Sequence, residues 1–319
     1  MKNIKQIIGK IEKDNQGRHI VNMFDNTFLA DSFLEASLRC GNREMKTGES
    51  PRKPELVKYV MQQNPWSGIT YFTDKTFHLA PGIESDIKIA WIIEPRALLP
   101  HIYDAIVKLE NHFDLIFTYD EKLLTRNPSK YKFHFADTVN VDQQSIKIHE
   151  KTKLVSMAVS EKTWLFGHRL RHIIMKTLIP NIKYDKVDFY GAGANNFVQM
   201  KSDTLNDYMF QITIENAKNR HYFADKIYDC FATGVVPIYW GAPNIGDYFD
   251  AKGIITFDTP DDLTKILNNI TPEKYCSMSD AIKTNFDIVT NEYMEPDDVI
   301  FTNTLKYLKE RGLSGGKGA

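Results

Sequence analysis

Residues 208–216 read YMFQITIEN, residues 222–231 read YFADKIYDCF, and residues 234–243 read GVVPIYWGAP. The first and third stretches are apolar and rich in β-branched and aromatic residues, which predicts two buried strands. The middle stretch has the apolar spacing of a helix, with Asp225 and Lys226 in its first turn. A strand, a helix and a second strand in this order predict a parallel sheet, which binds ligands at the carboxyl ends of its strands.

The same alternation of short β-rich runs and longer helical runs continues along the chain and predicts an α/β fold. A length of 319 residues favours two domains. Further strands are predicted at 69–72, 87–93, 114–118, 154–159, 187–190 and 254–257. Helices are predicted at 103–111, 165–178, 222–232, 261–269, 272–286 and 300–311.

The predicted domain boundary lies near residue 150. Residues 139–152 are polar and charged, which is typical of a linker. We therefore predict a first domain over 1–150 and a second over 151–311. The glycine-rich residues 312–319 are predicted to be a flexible tail, and the last three predicted helices could pack on either domain.

Composition excludes several classes of protein. The hydrophobic fraction of 42% excludes disorder, and the net charge of −1 gives no global attraction to nucleic acid. Local basic stretches at 46–53 and 126–134 are the exceptions. Cys40, Cys230 and Cys276 are too widely spaced for a metal site or a disulfide framework, which favours a reducing compartment.

The first residues contain no apolar core of a signal peptide, and no run of about 18 apolar residues follows. From this and the cysteine pattern we expect a cytoplasmic protein.

The turn before the predicted helix at 222–232 is a candidate anion site. A helix N-terminus offers unpaired N–H groups, so a diphosphate could bind there with Lys226 as a point charge. Alternatively, Asp225 only favours the helix dipole and Lys226 is solvated. No metal ligand set is evident, since His168 and His172 at i, i+4 spacing have no acid at metalloprotease spacing between them.

The motif I-E-N at 214–216, Y-F-A-D-K-I at 222–227 and G-V-V-P-I-Y-W-G-A-P at 234–243 resembles the donor-binding motif of glycosyltransferase family 10, the α-1,3-fucosyltransferases. The resemblance is dense and ordered over about forty residues. Weaker resemblance extends to 167–172, 189–193, 93–95 and 113–120, whereas residues before 69 match no pattern.

This resemblance implies two Rossmann-like domains facing a cleft, the GT-B type, with the nucleotide on the C-terminal domain and the acceptor on the N-terminal one. It implies an inverting transferase that moves a sugar, fucose by family default, from a nucleoside-diphosphate sugar to an acceptor hydroxyl. A carboxylate base would assist the acceptor, and cations would stabilise the leaving diphosphate. No cofactor is expected, and the absence of an Asp-x-Asp triplet argues against an obligatory metal.

Glu94 is the predicted catalytic base because it follows the strand at 87–93 and falls where the family has its proposed carboxylate. Pro95 favours an extended backbone at Glu94. The alternatives are a solvated strand-end acid or a buried carboxylate paired with a cation such as Arg96. Asp120 is the substitute candidate for the base.

Lys226 is the first predicted phosphate ligand, followed by Arg169 and Arg171. The two arginines point about 200° apart on a helix, so only one of them is expected to face the donor.

Glu215 and Asn216 are predicted to orient the ribose or the loop, and Tyr222 to stack on or hydrogen-bond to the donor. Asp225 is a predicted donor ligand, although the family commonly has Glu there. The family also commonly has a cation near 191–193, which this chain lacks. Gly241 is expected to allow a close backbone approach or a tight turn.

Two alternative functions remain open at the level of sequence. The same donor chemistry could act on a hydroxylated nucleic-acid base, as in modified viral DNA, in view of the basic stretches. The chain could also be a non-catalytic module that binds a nucleotide sugar.

Overall fold

The structure is a computed structural model. It describes residues 4–24, 55–135, 138–182, 184–293 and 296–314. These residues form two compact units, the first comprising 4–24, 55–135 and 296–314 and the second comprising 138–182 and 184–293. None of the helices in these ranges is long and apolar enough to cross a membrane.

The described part of the first unit contains a parallel sheet of six strands. They are His19–Phe24 (β1), Val57–Met61 (β2), Trp66–Thr73 (β3), Ser85–Trp91 (β4), Leu115–Thr118 (β5) and Tyr131–Phe133 (β6). Their order in the sheet is β2-β1-β3-β4-β5-β6. The helices are Ile4–Gly9 (α1), Pro100–Leu109 (α2) and Glu121–Arg126 (α3). A 3₁₀ segment, Asp74–Gly82, connects β3 to β4.

The described part of the second unit contains a parallel sheet of five strands. They are Lys153–Ala158 (β7), Val187–Tyr190 (β8), Tyr208–Ile214 (β9), Val236–Trp240 (β10) and Ile255–Thr256 (β11). Their order is β11-β10-β9-β7-β8. The helices are Phe166–Ile173 (α4), Ile179–Ile182 (α5), Asp225–Ala232 (α6), Pro260–Leu267 (α7), Pro272–Cys276 (α8) and Ser279–Glu292 (α9).

Both sheets are held by apolar residues on both faces, as expected for parallel sheets covered by helices. In the second unit, Ile212 on β9 is paired with Ile238 on β10, and both are buried. The predicted α/β class with repeated β-α-β order is therefore confirmed. The first unit has three strands that were not predicted, β1, β2 and β6. β1 and β2 lie in the part of the chain that matched no pattern.

The division between the units differs from the predicted boundary near residue 150. Residues 138–182 and 184–293 belong to the second unit, so the change of unit comes before residue 138. Val139 and Val141 are buried, and Asp229 accepts hydrogen bonds from the N–H groups of Asn140 (2.6 Å) and Val141 (3.1 Å). The predicted linker is therefore part of the folded second unit. Its buried valines alternate with the polar residues that suggested a linker.

The last helix, Pro296–Ser314 (α10), returns to the first unit. Ile300, Phe301 and Leu308 are buried in its core, and Tyr71 donates a hydrogen bond to Thr304 (2.9 Å). The helix continues through 312–314, so the predicted tail does not begin at residue 312, and 315–319 lie outside the described residues. The basic stretch 46–53 also lies outside them.

Candidate functional site

A cavity of about 300 Å³ lies in the second unit at the carboxyl ends of three neighbouring strands, β7, β8 and β9. The first turns of α4 and α6 complete it. Four of the predicted donor ligands line it, namely Arg171, Asn216, Asp225 and Lys226. This is the edge at which open parallel sheets bind ligands.

Glu215 lies behind the cavity wall and anchors the first turn of α6. Its carboxylate is fully buried, accepts a hydrogen bond from the N–H of Ala224 (3.1 Å) and lies 3.5 Å from Lys226 Nζ. Burial raises the pKa of Glu215. A Cβ at position 241 would lie 2.7 Å from Glu215 Cγ, so the expectation that Gly241 permits a close approach is confirmed.

Charged side chains form a continuous chain along the first two turns of α6. Lys226 Nζ lies 3.0 Å from Asp225 Oδ1, and Lys201 contacts the carboxylates of both Asp225 and Asp229. Burial opposes ionisation of Asp225, but the charges of Lys201 and Lys226 outweigh it and lower its pKa. Burial raises the pKa of Asp229, which lies deeper. These ion pairs hold the side chains of Asp225 and Lys226 at the cavity.

The two predicted arginines occupy different environments. Arg171 is 5% exposed and lines the cavity, where its guanidinium donates to the carbonyl of Ile214 and to Asn216 Oδ1 (3.1 Å). Burial lowers the pKa of Arg171. Arg169 is not part of the cavity lining and donates instead to the carbonyl of Trp164 (2.9 Å).

Tyr222 also lies outside the cavity lining. It is 3% exposed and packed in the turn that leads into α6. Of these two predicted ligands, Glu215 contacts the cavity residue Lys226 from behind, and Tyr222 is buried outside the lining.

His168 caps the N-terminus of α4. Its Nδ1 accepts a hydrogen bond from the N–H of Leu165 (3.2 Å). Nδ1 must therefore carry no proton, and the imidazole is neutral. Burial, together with the charge of Arg171, lowers the pKa of His168 to about 4. Gly167 beside it is required because a Cβ there would lie 1.8 Å from the carbonyl oxygen of Glu215.

Sequence reasoning missed Lys201 and Lys162, which also line the cavity. No cation stands at 191–193, where the family pattern has one, but Lys201 follows on the same connection between β8 and β9. Lys201 could have been found from the sequence, because the missing cation at 191–193 predicts a substitute cation nearby on the same connection. Gly193 donates to the carbonyl of Val159 (2.9 Å) and holds this connection against the end of β7.

Glu94, the predicted base, belongs to the first unit, where it follows β4 and is partly exposed. The Arg96 guanidinium donates two hydrogen bonds to Asp120, at 3.1 and 3.0 Å, and Asp120 also accepts one from the N–H of Leu123 (3.0 Å). Asp120 is therefore committed to structure and is a weaker base candidate than Glu94.

Within the described ranges, no three His, Cys, Asp or Glu side chains are grouped in a way that could hold a metal ion.

Comparison with known proteins gives matches in sequence and in fold. Residues 148–279, within the second unit, match the family model described as Glycosyltransferase family 10 (fucosyltransferase) C-term. The 4-galactosyl-N-acetylglucosaminide 3-alpha-L-fucosyltransferase 9 of Mus musculus is 27% identical over 169 residues, 51% of this chain and 44% of that protein. The chain thus aligns with less than half of that relative's length.

A crystal structure of an alpha1,3-fucosyltransferase with GDP has a TM-score of 0.50 at 15% identity, covering 80% of this chain and 81% of that one. Trehalose-6-phosphate synthase, described as an enzyme of glycosyltransfer with retention, has a TM-score of 0.54 at 9% identity, covering 77% and 74%. At these identities the likeness concerns the fold.

These matches correct the predicted function. The family model and the matched relatives are described as fucosyltransferases, which supports fucosyl transfer without specifying its stereochemistry, so the prediction of an inverting transfer is withdrawn. The matched relatives give no support to the predicted alternative of a nucleic-acid acceptor.

The fold class of two Rossmann-like domains of the GT-B type is confirmed. The resemblance read from the motif around Asp225 and Lys226 is likewise confirmed: residues 148–279 of this chain match the C-terminal domain of glycosyltransferase family 10.

Proposed function

We propose that this protein is a glycosyltransferase that transfers fucose from GDP-fucose to a hydroxyl group of a glycan. The observation that carries the proposal is the cluster of Lys226, Asp225 and Lys201 at the first turn of α6, inside a cavity formed by the segment that matches the family. The matched solved structure with GDP and the matched glycan-specific relative support the choice of donor and acceptor.

The charge of the cavity suits a diphosphate. Four cationic side chains line it, Lys162, Arg171, Lys201 and Lys226, against one carboxylate, Asp225. The first turn of α6 adds N–H groups and positive partial charge. Negative charge grows on the diphosphate as the sugar leaves, so cations fixed in advance stabilise the transition state more than the ground state.

Each donor ligand has a distinct role in this proposal. Lys226 and Arg171 bind the phosphates, and Asp225 and Asn216 accept or donate hydrogen bonds at the ribose. Glu215 and Tyr222 support them from behind. Arg169 has no direct role, because it lies outside the cavity lining.

Glu94 takes the proton of the acceptor hydroxyl in this scheme. General-base assistance typically contributes 10² to 10⁴ in rate. Because side-chain cations supply the positive charge, we further propose that no metal ion is required, and transfer should persist in excess EDTA. Complete loss on chelation, restored by Mn²⁺ or Mg²⁺, would contradict this part of the proposal.

The direct test is binding followed by transfer. GDP and GDP-fucose should raise the melting temperature more than UDP, UDP-sugars or GDP-mannose, because a ligand stabilises the folded state according to its affinity. Fucose should then appear on a galactosyl-N-acetylglucosamine acceptor. Stabilisation by GDP without transfer to any glycan would instead indicate a non-catalytic binding module, and no stabilisation by any nucleotide would overturn the proposal.

A further inference from the structure

Beyond Ile92, whose N–H still donates to the carbonyl of Phe117 on β5 (2.9 Å), the backbone that leaves β4 is held by side chains. β4 ends at Trp91. Beyond it, the N–H of Ile93 donates to Asp74 Oδ1 (2.9 Å) and the N–H of Glu94 donates to Asp74 Oδ2 (3.1 Å). One carboxylate therefore binds two consecutive peptide groups.

The two carbonyl groups of the same residues are bound as well. Tyr119 donates its hydroxyl to the carbonyl of Ile93 (3.1 Å), and Tyr103 donates its hydroxyl to the carbonyl of Glu94 (2.7 Å). Asp74, Tyr103 and Tyr119 are only 3%, 1% and 2% exposed. All four backbone polar groups of Ile93 and Glu94 thus have buried side-chain partners, and we call this arrangement the β4 clamp.

Asp74 holds this position at a conformational cost. Its φ is +23°, outside the range that non-glycine residues normally adopt. Strain of this kind persists where the surrounding structure determines it and is concentrated at functional sites. Asp and Asn tolerate positive φ better than other non-glycine residues, so Asn is the matched replacement.

We propose that Asp74 is a positioning residue that fixes the backbone from which Glu94 presents its carboxylate. The inference rests on the proposed function, in which Glu94 accepts the acceptor proton. A base must reach its proton within hydrogen-bonding distance, and a displacement of about 1 Å can cost roughly 10²-fold in rate. Both flanking peptides are bound, so the backbone of Glu94 is held by buried side chains.

Asp120, the other candidate for the base, has a structural role. Asp120 is bound by Arg96 and by the N–H of Leu123, so its oxygens are occupied. The side chain of Asp74 is likewise occupied by two amides. The clamp therefore uses one carboxylate to place the backbone of another, which remains partly exposed.

The test compares Asp74→Asn with Asp104→Asn, the same chemical change at an exposed position on α2. Asn keeps the size of Asp but replaces one accepting oxygen with an NH₂ group, which removes one of the two amide bonds. We expect Asp74→Asn to lower kcat about tenfold, with GDP affinity unchanged because the donor cavity is lined by the second unit alone. Asp104→Asn should leave both unchanged.

A double-mutant cycle separates positioning from general damage. In the Glu94→Gln background, Asp74→Asn should lower kcat less than twofold, because there is no base left to place. A full tenfold further loss would overturn the positioning role while leaving the proposed function intact. A normal kcat in Glu94→Gln alone would instead overturn both the base and its positioning.

Amide hydrogen exchange tests the clamp without any turnover. The amides of Ile93 and Glu94 should exchange at least tenfold faster in Asp74→Asn than in the wild-type protein, and unchanged exchange would overturn the clamp. Should Asp74→Asn fail to fold, Tyr103→Phe removes only the hydroxyl donated to Glu94 and carries the same expectation for kcat and for the cycle. A normal kcat in Tyr103→Phe would then overturn the proposal.

Discussion

In the donor cavity of the second unit, charged side chains hold one another, whereas at the β4 clamp of the first unit side chains hold the backbone. Lys226, Asp225 and Lys201 are held in place by ion pairs to one another. The peptide groups of Glu94 are bound by the side chains of Asp74 and Tyr103. A diphosphate site needs fixed charge, and a base needs a free lone pair at a fixed place.

The largest effect is expected when a cation is removed from the cavity of the second unit. We expect Lys226→Ala to lower both turnover and GDP affinity by 10²-fold or more, since the leaving-group charge loses a few kcal/mol of stabilisation. Kinetics and calorimetric titration with GDP measure these effects. Lys274→Ala, an exposed lysine on α8, is the matched control.

Lys226 also lies 3.5 Å from the buried Glu215, so the melting temperature of the variant must be measured alongside. Lys226→Arg keeps the charge and should retain more GDP affinity than Lys226→Ala. A folded Lys226→Ala variant with normal affinity and rate would contradict the donor-site assignment.

A second test removes the shared cation from between two carboxylates. Lys201→Met should destabilise the protein by about 3 kcal/mol, because Asp229 is fully buried and would lose its charged partner. Adding Asp229→Asn should recover part of this loss, since the buried charge is then removed. Urea unfolding measures both steps. If the double variant is no more stable than Lys201→Met alone, the two side chains are not coupled as described.

A smaller effect is expected at His168, which must be neutral to accept the N–H of Leu165. Its pKa is about 4 in the folded protein, below the ordinary value of 6.5. The unfolded chain therefore binds more protons between these values, so the stability contributed by His168 is complete above pH 6.5 and is lost as pH falls toward 4. At pH 5 the loss should be about 2 kcal/mol.

His168→Asn keeps an acceptor but cannot titrate, so it should lose less stability than the wild-type protein between pH 7.5 and pH 5. His112→Asn, on an exposed histidine, is the control. Equal pH dependence in wild-type and His168→Asn proteins would show that the cap does not require the neutral ring.

The sequence predicted the second unit better than the first for a physical reason. The strands around Phe210 and Ile238 are continuous apolar runs, and the motif between them combines a helix start with charged residues. In the first unit, Asn22 and Lys58 interrupt the apolar runs of β1 and β2. One miss falls in the second unit, where the predicted linker was polar in composition although Val139 and Val141 are buried in it. The mean polarity of a segment does not reveal that alternate residues within it are buried.

The candidate site was predicted only where chemistry and local sequence coincide. Asp225 and Lys226 lie beside the strand end that marks the site, and they line the cavity. Lys201 lies far from them in sequence and reaches Asp225 only through the fold. The clamp on Glu94 was also out of reach, because Asp74 and Tyr119 lie on different connections of the first sheet, twenty or more residues away.

Glu94→Gln tests most directly the claim that Glu94 takes the proton of the acceptor hydroxyl. Three measurements on this variant are needed, namely kcat, GDP affinity and melting temperature. We predict that kcat falls about 10²-fold or more while GDP affinity and melting temperature remain at wild-type values. A folded variant with normal kcat would contradict the claim.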